Sequence, residues 1–167
     1  MTQNETERED AAARKGRRRA AKEEGEAADV REEAKSGALE EARIVTALRA
    51  AGEKKAVEPV VLDLRELASF TDYFLIASGT NARQVQAIAD EIVERLKAEG
   101  TRAERVEGHR TAEWVLIDYG DFIVHVFEEK ARRFYDLERL WREAARVELP
   151  RELAGEPAAG GEDGRGA

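Results

Sequence analysis

Residues able to do chemistry concentrate in one apolar stretch of the sequence, residues 113–127. Trp114, Asp118, Asp121 and His125 interrupt runs of Val, Ile, Leu and Phe there. Carboxylates beside a histidine are usual groups for acid–base catalysis, whereas a tryptophan among aliphatic residues is typical of a protein-binding surface. Both alternatives compete with a third, in which these residues only complete a core. The choice among the three decides the function.

The histidine alone favours the core. His125 alternates with Ile123 and Phe127, so it points the same way as apolar side chains. His109, the second histidine, lies in a polar segment, and no nucleophile stands at a recognisable spacing from either. The chain has no cysteine, and two histidines do not make a zinc site. We therefore expect His125 to be a hydrogen-bonded core or interface residue, and we expect neither a metal nor a cofactor.

The elements that position these residues follow from apolar spacing and turn residues. The stretch 113–127 reads as two apolar strands joined by a tight turn at residues 119–121. A helical stripe of apolar residues precedes Gly52, and a second such stripe precedes Gly100. The other predicted elements are strands at 60–64, 74–79 and 102–106, and a last helix carrying Phe134, Leu137, Leu140 and Trp141. Strands alternating with helices, plus one hairpin, predict a single small α/β domain with a mixed β-sheet flanked by helices.

Composition sets the domain boundaries. Residues 1–36 contain nine Lys or Arg and ten Asp or Glu, with Val30 as the only large aliphatic residue, so we expect a disordered charged arm. Residues 37–149 hold every Trp, Tyr and Phe and form the folded domain, and residues 150–167 are a second disordered tail. No apolar run approaches the ~20 residues that cross a bilayer, and the N-terminus lacks an apolar signal region. We expect a soluble cytoplasmic protein.

The net charge of −8 argues against broad nucleic-acid binding by the whole chain. Residues 14–19 and Lys22 form one local basic cluster in the N-terminal arm. Such a cluster can contact RNA phosphates, but acidic residues flank it on both sides. The pattern favours a solvated, charge-balanced arm over an RNA contact, and both alternatives stay open.

Several segments resemble the ribosomal silencing factor family, also called RsfS or Iojap. They are residues 72–80, 83–91, 107–108, 113–127 and 134–141, in the family's order and spacing. The resemblance runs from about Leu39 to Arg142 and leaves out the arm and the tail. It implies a fold similar to nucleotidyltransferases, a homodimer, and a binding protein without catalysis. It further implies binding to ribosomal protein fourteen of the large subunit, which blocks subunit joining and lowers translation, and a link to large-subunit maturation.

A nucleotide-binding or nucleotidyltransferase enzyme on the related fold is the alternative. Such enzymes hold phosphate on a Gly-Ser turn before a helix, and bind magnesium with two or three carboxylates on neighbouring strands. This chain has Ser78-Gly79-Thr80 before a predicted helix, but no Asp-x-Asp pair follows on a strand. Asp63 and Asp118 could meet only if their strands were neighbours, and magnesium needs several oxygen ligands. The pattern favours a strand end, a turn and a helix cap.

The docking residues follow from strand alternation combined with the resemblance. Trp114, Leu116 and Asp118 share one face of the first hairpin strand, and Val115, Ile117 and Tyr119 share the other. Pattern alone slightly favours the core for Trp114 and Leu116, but family members engage the ribosomal protein with this region. The predicted contacts are Trp114, Leu116, Asp118 and Tyr119, with Asp72, Tyr73 and Arg110 as second choices.

Overall fold

The computed structural model describes residues 3–158, without the side chains of residues 3–13, 16, 19–20 and 32–39. The helices are α1 (Gln3–Glu53), α2 (Ala82–Ala98), α3 (Glu129–Tyr135) and α4 (Leu137–Leu140). The strands are β1 (Val57–Asp63), β2 (Tyr73–Gly79), β3 (Arg105–Glu107), β4 (Trp114–Asp118), β5 (Phe122–Glu128) and β6 (Ala145–Arg146). A short 3-10 turn at Arg151–Leu153 follows.

The chain divides into two compact units, residues 1–39 and residues 40–167. In the first unit the described backbone is helical, and the side chains of residues 21–31 are all exposed, as their charged composition predicts. The disordered arm over residues 1–36 stays a prediction. So does the disordered tail over residues 150–167, of which residues 159–167 lie outside the described part.

The second unit is built around one six-stranded sheet with the order β3-β4-β5-β2-β1-β6. Its central pair, β2 and β5, is parallel, and the other neighbouring pairs are antiparallel. Helices lie against the sheet, so the predicted α/β domain with a mixed sheet is confirmed. The β4–β5 hairpin is also confirmed, with Tyr119 donating its backbone N–H to the Phe122 carbonyl at 3.0 Å.

One face of the sheet, which we call the α2 face, carries Val115, Ile117 and Val124. The C-terminal part of α1 and the apolar side of α2 cover it. The sequence allows Thr80 or Asn81 as the cap of α2, and Asn81 takes this place by accepting the backbone N–H of Gln84 at 2.9 Å. The predicted α2 stripe is fully confirmed, because its buried residues are Val85, Ile88, Ala89, Ile92 and Leu96.

The opposite face, which we call the α3 face, carries Trp114, Leu116 and Ile123, and the residues packed on it come from α3, α4 and the segment that follows. The prediction of one continuous last helix is wrong. Asp136 adopts a left-handed conformation (φ 48°, ψ 55°) that no α-helix accommodates, so the segment is two short helices. Leu137 and Trp141 pack on the sheet, while Phe134 and Leu140 are left 82% and 73% exposed.

Candidate docking surface

The face of β4 that looks outward is the one that carries Trp114. Val115 and Ile117 are completely buried on the α2 face, whereas Trp114, Leu116 and Asp118 each stay partly exposed on the α3 face. Strand alternation therefore puts an indole, an isobutyl group and a carboxylate in one line. We call these three residues the Trp114 row. They can cover apolar surface of a partner and pair with one positive charge of that partner.

The start of β4 is fixed by the loop of residues 108–112. Gly108 has φ +79°, and a Cβ there would lie 2.0 Å from the carbonyl oxygen of Trp114, so only glycine fits. The side-chain amide of Gln86 donates to the carbonyl of His109 at 3.0 Å, and the His109 ring lies 2.7 Å from Asp90. Because Gln86 and Asp90 belong to α2, the loop that positions Trp114 is anchored to a helix.

The Trp114 side chain is held from three sides. Its indole N–H donates to Nδ1 of His125 at 3.0 Å. Its ring lies 4.9 Å from the rings of Phe127 and Tyr135, centroid to centroid. The indole's only polar atom is thus engaged inside the protein, so the exposed part of Trp114 is apolar ring.

His125 is a core residue, as predicted. It is 4% exposed, and its ring lies edge-on to Phe74 at 4.5 Å. Burial lowers the pKa of His125 to about 4, because the charged imidazolium would lose its hydration. The ring is therefore neutral near pH 7. Among the described side chains, none partners its Nε2.

Asp118 stands at the end of the Trp114 row next to the hairpin turn. Its Oδ1 accepts the backbone N–H of Gly120 at 2.8 Å, which shapes the hairpin turn. Its Oδ2 lies 3.5 Å from the Arg105 guanidinium on β3, a long contact with both groups partly in solvent. One oxygen of the carboxylate is therefore open to exchange this weak pair for a partner's cation.

The two strand carboxylates that an enzyme would need are apart. β1 and β4 are separated by β2 and β5, so Asp63 and Asp118 stand three strand spacings apart, roughly 14 Å. Asp63 is held by Arg65, whose guanidinium donates at 2.8 Å. The described residues include no group of three or more His, Cys, Asp or Glu side chains placed to hold a metal ion.

The remaining predicted contacts are scattered. Tyr119 and Tyr73 are each 6% exposed and lie in the core of the α2 face, so they offer little surface to a partner. Asp72 is half-buried at the start of β2, two strands away from β4. Arg110 is exposed on the loop that precedes β4. Of the predicted contacts, the structure thus brings together the three residues of the Trp114 row.

Two residues with unusual environments, Tyr135 and Glu40, were not identified from the sequence. Tyr135 is 47% exposed and extends the indole surface, and its place in the segment 134–141 that resembles the family was the available signal. Glu40 is buried beside Asp72, Asp121 and Arg43. Burial first, then the hydrogen bond with Asp72 and the two neighbouring carboxylates, raises the pKa of Glu40 to about 7. No sequence signal joins these distant residues.

Fold and site define the class: a small α/β domain with a partly exposed row of one tryptophan, one leucine and one aspartate on its sheet. Among its described residues, no helix is long and apolar enough to cross a membrane. A family model described as ribosomal silencing factor during starvation matches residues 37–164. The chain belongs to this family, and the resemblance drawn from its motifs is confirmed.

Two bacterial relatives carry the family's name, and a mouse relative has a different one. The chain is 44% identical over 103 residues to the ribosomal silencing factor of Halalkalibacterium halodurans, which covers 62% of this chain and 88% of the relative. The Bacillus subtilis protein of that name is 41% identical over 103 residues, covering 62% and 87%. A mouse protein named mitochondrial assembly of ribosomal large subunit protein 1 is 30% identical over 92 residues, covering 53% and 40%.

Solved structures agree with the fold. A crystal structure of a Chromobacterium violaceum protein matches with a TM-score of 0.60 at 34% identity, over 66% of this chain and 88% of that one. A crystal structure of a Bacillus halodurans protein matches with a TM-score of 0.57 at 42% identity, over 64% and 96%.

Proposed function

We propose that this protein is a non-enzymatic translation repressor that docks on the large ribosomal subunit and blocks its joining to the small subunit. The docking partner in this proposal is ribosomal protein fourteen of the large subunit. A role in large-subunit assembly, a homodimeric state and a cytoplasmic location belong to the same proposal. Membership of the silencing factor family and the name of the mouse relative, which refers to assembly of the large ribosomal subunit, support the ribosomal assignment.

The observation that carries the docking site is the outward orientation of the Trp114 row. Its indole is immobilised by His125, Phe127 and Tyr135, so little side-chain entropy remains to be lost on binding. Rigid aromatic anchors dominate the energetics of protein interfaces. Leu116 adds apolar area, and Asp118 supplies a charge suited to a basic ribosomal protein.

Charge supports the same partner class. The chain carries a net charge of −8, which favours fast encounter with a basic protein. The Asp118–Arg105 contact is long at 3.5 Å, so a cation of the partner can replace it at small cost.

Light scattering of subunit joining, with the purified protein added to separated subunits, tests the function. We expect joining to fall as the protein saturates the large subunit. Unchanged joining at saturation would refute the mechanism. Cosedimentation with each subunit separately should place the protein with the large one.

The docking surface is tested by Trp114→Ala in a pull-down of ribosomal protein fourteen. Loss of a hot-spot tryptophan should weaken binding by more than ~2 kcal/mol. Val147→Ala is the matched control, because Val147 is an exposed apolar residue just after β6, at the other edge of the sheet. A native circular dichroism spectrum for Trp114→Ala separates lost contact from lost fold.

A second element of the proposal is that the basic cluster of the arm contacts ribosomal RNA. The described side chains Arg14, Lys15, Arg17 and Arg18 are exposed. Deleting residues 1–36 should weaken binding to the large subunit and flatten its salt dependence, because phosphate contacts release counterions. Identical binding and identical salt slope after deletion would remove the arm from the proposal.

The nucleotidyltransferase alternative gains no support from the separated Asp63 and Asp118. Incubation with nucleoside triphosphates and magnesium distinguishes it. Turnover, or a rise in melting temperature with nucleotide, would favour the enzyme.

A further inference from the structure

His125 lies beside the Trp114 row, on the neighbouring strand β5 and on the same face of the sheet. In the sheet register it pairs with Leu116 on β4 and with Ile76 on β2, so its ring sits at the centre of the α3 face. It is the partner of the Trp114 indole N–H, at 3.0 Å. This histidine therefore places a buried polar group next to the docking surface, among aromatic neighbours such as Phe74 and Phe127.

The hydrogen bond fixes the tautomer. Nδ1 can accept the indole N–H only with a free lone pair, so the imidazole proton is on Nε2. Nε2 is buried, and no described group accepts its proton. A buried donor without an acceptor lowers stability, and a leucine at this position would not carry that cost. The histidine is thus a poor choice for packing alone, and its useful contact is the one with Trp114.

That contact selects one orientation of the indole. The terminal torsion of a tryptophan side chain is broad and roughly two-fold, so packing against Phe127 and Tyr135 is compatible with two opposite ring orientations. An acceptor at one edge of the ring distinguishes them. With the N–H directed inward to His125, the edge turned towards a partner is carbon only.

We infer that His125 is a positioning residue for docking, which holds Trp114 in the single ring orientation that the ribosomal partner contacts. The inference rests on the proposed docking function of the Trp114 row. It assigns to His125 no contact with the partner, since the imidazole is only 4% exposed.

Three substitutions of His125 isolate the acceptor. His125→Asn keeps an acceptor oxygen near the position of Nδ1, His125→Gln moves its amide outward towards the position of Nε2, and His125→Leu removes polarity. We expect the affinity for purified large subunits to fall roughly tenfold for Gln and Leu, and to stay within about threefold for Asn. Equal losses for Asn and Gln would overturn the inference, even if the Leu variant does not fold.

Nuclear magnetic resonance of the indole N–H groups tests positioning without any ribosome. The chain has two tryptophans, so Trp114→Ala assigns both signals. In His125→Asn, the Trp114 indole N–H signal should keep the chemical shift that it has in the native protein and should exchange slowly with solvent. It should move to the position of a free indole in His125→Gln. A signal unaffected by His125→Gln would overturn the inference.

A double-mutant cycle separates this inference from the proposed function. His125→Gln should weaken binding in the native background and have no further effect in Trp114→Ala. Equal weakening in both backgrounds would overturn the positioning role and leave docking intact. Native affinity of Trp114→Ala would instead overturn the docking surface itself.

Discussion

The two faces of the sheet are covered in different ways. On the α2 face, two long helical segments close over side chains such as Val115 and Ile117, which are completely buried. On the α3 face, the short helices α3 and α4 leave Trp114, Leu116 and Tyr135 partly in solvent. The difference shows a division of roles: one face buries side chains that stabilise the fold, and the other leaves side chains accessible at the surface. A strand can serve both, because its alternate residues belong to different faces.

The largest expected difference is between adjacent residues of β4. Ile117→Ala should lower the free energy of unfolding by about 2–5 kcal/mol, because it leaves a cavity in a closed core. Leu116→Ala should lower it by less, because part of its surface is already hydrated. Urea denaturation of both variants measures the two losses. Equal losses would show that the α3 face is as closed as the α2 face.

Acid should destabilise the protein through the α3 face. The folded-state pKa of His125 is about 4, below its ordinary value of 6.5, so the unfolded chain takes up the proton first. The contribution of His125 to the free energy of unfolding is therefore complete above about pH 6.5. It is lost as the pH falls through 4, and the total loss is about 3 kcal/mol. Urea titrations at several pH values should show a smaller loss of stability towards acid in His125→Leu. An unchanged loss would assign the acid sensitivity to other groups.

The loop that positions Trp114 should be sensitive to a single methyl group. Gly108→Ala adds a Cβ against the Trp114 carbonyl at positive φ, and should cost about 1–3 kcal/mol. Gly52→Ala is the control, because its Cβ would meet no atom within 4 Å and it lies in α1. Thermal melting compares the two. Equal melting temperatures would show that the loop adapts freely.

The last expected effect concerns Glu40, a buried residue of helix α1. Its folded-state pKa is raised to about 7, so its contribution is full below about pH 4.5 and is lost as the pH rises through 7. Asp72, Asp121 and Arg43 are the charged groups around it. Glu40→Gln should remove this loss of stability with rising pH. Glu41→Gln, at an exposed site, should keep it. Denaturation between pH 5 and 8 distinguishes them.

Much of the fold was predictable because it follows from local periodicity. The α2 stripe, its cap at Asn81 and the β4–β5 hairpin each depend on residues close in sequence. The helix break at Asp136 was not predictable from the sequence. The segment's apolar spacing continues across this residue, but its left-handed backbone interrupts the helix.

The candidate site was half predictable. Alternation correctly grouped Trp114, Leu116 and Asp118, but their outward direction depends on which helices cover each face, and that is a long-range property. The same limit explains Tyr119 and Tyr73, whose burial comes from α1 and α2. The pairing of Trp114 with His125 was within reach, since both belong to one hairpin.

The mixed connectivity of the sheet has a consequence for the order of folding. β4 and β5 are joined by a tight turn, and isolated hairpins form within about 1–10 μs. The central parallel pair, β2 and β5, joins strands separated by α2, β3 and β4, so it must close a long loop before its contacts form. We therefore expect the Trp114 row to take shape early, on a hairpin nucleus, with the centre of the sheet assembling last.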